Sequence, residues 1–132
     1  MSKNIIKVLI VLSLLFVLYI RSVIAEAPAP TLQELSIPEL ITLFSTQYDV
    51  SYTEMYKTIE CETRFKNIQS QIVTNGKQEE SYGIVQIHLP SNPTISKQQA
   101  LDPIYSIEFM AKQFAKGKQR NWTCARKLGF SK

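Results

Sequence analysis

The first 25 residues differ in kind from the rest, and that difference bounds what the remainder can fold into. Lys3 and Lys7 precede a 13-residue apolar run, Val8 to Ile20, broken only by Ser13 and Tyr19. Small residues follow, so that Val23-x-Ala25 and Ala25-x-Ala27 both have the form of a signal-peptidase site. A basic start, a short apolar core and small residues read as a secretory signal. A spanning helix needs about 20 apolar residues, a length that Val8 to Ile24 reaches only if Arg21 snorkels. Residues 1–25 are therefore expected to be a signal peptide or, uncleaved, an N-terminal anchor meeting the membrane through residues 5–24. Either way the rest is exported: periplasmic, cell-surface or secreted. Export places Cys61 and Cys124 in an oxidising compartment, where an even cysteine count favours a bridge.

Loss of 25 residues from 132 leaves 107, one domain at most. Lys3, Lys7 and Arg21 leave with the segment, so 12 of the 15 basic residues face all 11 carboxylates, a mature charge of +1. The basicity of the whole chain is thus no argument for a nucleic-acid partner. Lys112, Lys116, Lys118, Arg120, Arg126, Lys127 and Lys132 do cluster late. They read as a solvated face or as an attraction to an anionic polymer. With a single His the usual zinc ligand sets are not met, and neither metal nor cofactor is expected.

Residues 26–35 read as a linker, since each Pro of Glu-Ala-Pro-Ala-Pro-Thr disfavours helix at the residue before it. The domain is expected over 36–132. Ser36 has the form of an N-cap, with Pro38 and Glu39 in the first turn and Leu40, Ile41, Leu43 and Phe44 on an apolar face. That helix should end near Tyr48. Ser51 with Glu54 fits a capping box for a second helix over about Tyr52 to Thr63. Met55, Ile59 and Glu62 fall at i, i+4 and i+7 on one face of it. Glu62 is thereby placed on the apolar side at the helix end, where desolvation raises a carboxyl pKa as a general acid at neutral pH requires. The plain alternative is a helix-end carboxylate paired in solvent with Arg64 or Lys66. Asn75-Gly76 predicts a small hairpin between Gln71 to Thr74 and Lys77 to Tyr82. Gly83 to Ile87 reads as a short apolar turn or helix, His88 to Pro93 as a loop, and Ser96 to Leu101 as a short helix. Asp102 then caps a last long helix with Pro103 first inside, Ile104, Ile107, Phe109, Met110 and Phe114 on its apolar side, and Gly117 at its end.

Four stretches together resemble the lysozyme-like lytic transglycosylases over about Ile37 to Gly129. They are Glu62-Thr63-Arg64-Phe65; Tyr82-Gly83-Ile84-Val85-Gln86-Ile87; Asp102-Pro103-Ile104-Tyr105-Ser106-Ile107; and Trp122-Thr123-Cys124 with Cys61 beside Glu62. The resemblance implies an α-rich α+β fold, a lysozyme-like helical domain with a small β-hairpin next to the cleft. It also implies a Cys61–Cys124 disulfide, with Trp122 packed over it. The implied partner is the glycan strand of peptidoglycan. The implied chemistry is cleavage of the MurNAc–GlcNAc β-1,4 bond: Glu62 protonates the glycosidic oxygen, then as carboxylate takes the proton of the sugar's own C6 hydroxyl as that oxygen attacks C1. A 1,6-anhydromuramyl end results and no water is consumed.

The resemblance carries Tyr82 and Gln86 over as glycan binders. Gln86 both donates and accepts, and Tyr82 offers a ring face. Thr63 stands where its hydroxyl could steady the carboxylate. Gly83 allows an uncommon backbone angle or close packing. Tyr105 is a cleft or core residue. A hydrolytic lysozyme (muramidase) is the nearest rival, because most glycosidases flank the bond with two carboxylates; Glu79 and Glu80 in the hairpin are the candidates, a solvated pair otherwise. The other rival is a catalytically inactive wall-binding or assembly module of the same fold, against which the intact Glu62 argues. The chain departs from the larger transglycosylases in lacking a clear Asn-Tyr pair in a late apolar helix.

Overall fold

The computed structural model describes residues 7, 10–16 and 29–130. The chain divides into two compact units, 1–30 and 31–132. In the first, residues 7 and 10–16 are helical and Ile10, Val11, Leu12, Leu14, Leu15 and Phe16 are exposed. Among the described residues no helix is long and apolar enough to cross a membrane. Lys3, Arg21 and the expected cleavage residues around Ala25 lie outside the described residues.

The second unit is mixed α and β. It begins with a 3₁₀ turn, Leu32–Glu34, whose Thr31 N–H donates to the Glu34 carboxylate at 2.7 Å. The expected linker over 26–35 is thus cut short, because this turn already lays Leu35 against the core. Helix α1, Ile37–Gln47, starts at Ser36 with a reciprocal capping box to Glu39 and ends at Tyr48, as its pattern predicts. Leu40, Ile41 and Phe44 are buried, whereas Leu43 lies at the exposed edge. Helix α2, Tyr52–Thr63, is capped by Ser51 Oγ, which accepts the Glu54 N–H; the reciprocal half of the expected capping box is absent. Its end is abrupt: Arg64 and Phe65 both adopt left-handed backbone, φ 52° and 62°. That conformation is strained for a bulky aromatic residue. Phe65 is held there against Tyr56, ring centroids 4.8 Å apart.

Five short strands follow: β1 Ile68–Gln69, β2 Val73–Thr74, β3 Lys77–Gln78, β4 Ser81–Gly83 and β5 Ile87–His88. The hairpin forms where Asn75-Gly76 predicts it, with Thr74 opposite Lys77 and Val73 opposite Gln78. Asn75 and Gly76 both have positive φ, as a tight two-residue hairpin turn requires. A separate antiparallel sheet runs β1-β4-β5. Of Gly83 to Ile87, expected as a turn or helix, Ile84 to Gln86 form the tight β4–β5 turn; Gly83 ends β4 and Ile87 opens β5, opposite Tyr82. Gly83 (φ +86°) sits so close to the next helix that an added Cβ would lie 1.8 Å from the Ala100 carbonyl oxygen.

Helix α3 (Lys97–Leu101) begins one residue later than expected, with Ser96 as its cap, Oγ accepting the Gln99 N–H; α4 (Pro103–Ala115) follows its predicted cap, Asp102 Oδ1 accepting the Ile104 N–H. A 3₁₀ turn, Gln119–Asn121, leads to α5, Thr123–Lys127. Met55 and Ile59 of α2, Ile107 and Met110 of α4 and Ile84, Val85 and Ile87 of the sheet region are almost fully buried together. Trp122 lies at 5 % exposure, edge-on to Phe109 and Phe114, and its indole N–H donates to Val85 O at 2.6 Å. That anchor draws the C-terminal segment against the sheet. The Cys61–Cys124 disulfide is formed, Cα atoms 5.8 Å apart, tying the end of α2 to α5.

Candidate functional site

A cleft of about 880 Å³ opens between the sheet with its hairpin on one side and α4 with the C-terminal segment on the other. Glu62 lines it from the last turn of α2. The helix face that buries Met55 and Ile59 brings Glu62 to the protein–cleft boundary, half-buried, two residues before the left-handed Arg64. Its Oε1 accepts the Cys124 N–H at 2.9 Å. Among the described residues the ion pairs are Lys57–Glu60 and Glu108–Lys112, so the solvent pairing with Arg64 or Lys66 does not occur. Burial pushes the Glu62 carboxyl above its ordinary range. The Cys124 amide opposes that, the nearby charge of Glu79 adds to it, and Lys127 and Arg126 pull the other way.

Glu79 lines the same cleft. It is held by Ser70, which is buried at the root of the hairpin: Ser70 Oγ donates to Glu79 Oε2 at 2.6 Å and accepts the Ile72 N–H. Glu79 is thus a placed cleft residue and not part of a solvated turn pair. Glu80 is exposed and does not line the cleft.

Gln86 lines the cleft too. It has left-handed backbone (φ 56°), and its side-chain Nε2 donates to Gly83 O at 2.8 Å and Ile68 O at 3.0 Å. Its donors therefore close the β4–β5 turn onto β1, which leaves the amide oxygen as its hydrogen-bonding group for a ligand. Four other expected contacts turn inward. Thr63 Oγ1 donates to Ile84 O at 2.8 Å and is buried, linking α2 to the sheet and not steadying Glu62. Tyr82 is buried at 7 % exposure, with Lys97 Nζ 4.7 Å from its ring centroid. Gly83 packs on Ala100. Tyr105 packs against the core from α4. None of the four lines the cleft.

Lys118 and Lys127, members of the late basic cluster, line the opposite wall, but sequence reasoning missed Phe109, Gln113, Asn121 and Thr123 beside them, together with His88, Ser91 and Asn92 at one edge. His88 Nδ1 and Ser91 Oγ lie 2.8 Å apart. The one available signal was the cysteine pair, which carries residues 118–127 to the end of α2. The whole presents two carboxyls, Glu62 with its pKa raised by burial and Glu79 held by Ser70, in a groove rich in amide, hydroxyl and ammonium groups. Such a groove suits a polar, extended, polyhydroxylated ligand. The chain matches no protein-family model, no curated protein and no solved structure.

Proposed function

We propose that this chain is an exported lytic transglycosylase of lysozyme-like fold that cleaves the MurNAc–GlcNAc bond of peptidoglycan, with Glu62 as acid and then base. The observation that carries the reading is the state of Glu62: half-buried in a cleft of about 880 Å³, with its carboxyl held above the ordinary range by burial. Such a group still holds its proton where a free glutamate has lost it. Protonation of the glycosidic oxygen releases the GlcNAc side. The Glu62 carboxylate so formed accepts the C6 hydroxyl proton while that oxygen bonds to C1. One residue returns to its starting state in each cycle, so no second acid takes part. Gln86 is the candidate acceptor for a sugar hydroxyl or N-acetyl N–H, and the cleft's Lys118 and Lys127 suit the carboxylates of stem peptides.

The placement of Glu79 favours a second reading, hydrolysis by a carboxylate pair. The two readings part on one substitution. With Glu62 alone in charge, Glu79→Gln keeps cleavage within a few-fold. The same change removes a negative neighbour that helps hold the proton on Glu62. The alkaline limb of the pH–rate profile, where activity is lost as pH rises through the Glu62 pKa, should therefore move to lower pH. Release of soluble fragments from purified peptidoglycan across pH reads both effects. Abolition of cleavage by Glu79→Gln, in folded protein, would establish the paired-carboxylate hydrolase instead.

A further inference from the structure

Cys124 contacts the end of α2 twice. Its sulfur is bonded to Cys61, the residue before Glu62, and its backbone N–H donates to Glu62 Oε1. The second contact has a local cause. The first N–H groups of a helix have no partner within it, and α5 begins after Trp122, whose side chain makes no capping hydrogen bond. The Glu62 carboxyl satisfies the Cys124 amide from outside the helix. Disulfide and hydrogen bond thus close a single ring through Cys61, Glu62 and Cys124. The other charged groups acting on this carboxyl are Glu79 from the hairpin side and Arg126 and Lys127 from α5.

We propose that the Cys61–Cys124 bridge is a positioning element for the Glu62 carboxyl: it holds the Cys124 amide on Oε1 and leaves Oε2 as the oxygen that exchanges a proton with the ligand. The role of that proton rests on the reading of Glu62 as the acid; the ring of contacts does not. An amide donating to a carboxylate favours the charged form. A folded chain without the bridge should hold the Glu62 proton to higher pH. It should also have a less oriented acid, with kcat falling roughly 10-fold while KM changes little, because misplacement acts on the transition state.

Two NMR titrations and one rate measurement test this. In the oxidised protein, the Cys124 amide proton should follow the Glu62 carboxyl carbon through one titration step, and Glu62→Gln should abolish that step. In the Cys61→Ser/Cys124→Ser protein, Glu62 should titrate at higher pH, and the rate profile's alkaline limb should move with it. A Glu62 titration that is unchanged or lowered in the folded double variant overturns the proposal. So does a Cys124 amide indifferent to Glu62 in the oxidised protein, a result that decides the matter even if the double variant does not fold. If the titrations behave as expected and the rates of the folded variant do not change, the positioning contact stands and the catalytic reading of Glu62 falls.

Discussion

Glu62→Gln is expected to lower release of soluble peptidoglycan fragments by at least ~100-fold, the usual scale for loss of a general acid, in a protein that remains folded. Gln keeps the shape and an oxygen that accepts the Cys124 N–H, so the ring at the end of α2 survives. Only the titrating proton is lost. Stability should not suffer with it. A carboxyl whose folded pKa lies above its unfolded value binds its proton more tightly in the folded state. The stability it contributes is present at low pH and is lost as pH rises from the ordinary carboxylate range through the raised value. At neutral pH Glu62 is thus a cost to the fold, and Gln relieves it. A melting temperature at pH 7 equal to or above wild type, beside a collapsed rate, is the expected pair of results. Near-normal cleavage by folded Glu62→Gln would remove Glu62 from the chemistry.

The second large effect falls on stability. Cys61 and Cys124 are separated by 63 residues, and restoring that loop's freedom to the unfolded chain costs the native state about 4 kcal/mol on the chain-entropy model. A domain of this size has roughly 5–15 kcal/mol in total. Cys124→Ser should therefore lower the melting temperature by roughly 20 °C. Wild type melted in excess reductant should converge on the variant. A shift of only one or two degrees in both would mean that the packing of Trp122 against Val85, Phe109 and Phe114 holds the C-terminal segment by itself.

The helices were legible because their signals are local. Ser36, Ser51 and Asp102 each announce a helix start, and Asn75-Gly76 announces a hairpin. The β1-β4-β5 sheet was not legible. Its strands are two or three residues long, and its pairing joins Ile68 to Gly83 and Ser81 to His88, contacts that no periodicity records. Glu62 could be found from Met55 and Ile59, since spacing on a helix reports which face is buried. The roles of Thr63, Tyr82 and Tyr105 could not. A hydroxyl-bearing side chain looks the same in sequence whether it meets a ligand or, like Thr63, a neighbouring carbonyl. Glu79 read as solvated because the buried Ser70 that holds it is nine residues away across the hairpin.

The central claim is that the Glu62 cleft cuts glycan strands without consuming water. Mass spectrometry of peptidoglycan digested by the purified protein tests it most directly. The account predicts muropeptides with 1,6-anhydromuramyl ends, each lighter by one water than its hydrolysed counterpart. Digestion that yields hydrolysed reducing ends alone, or no soluble fragments at all, would contradict it.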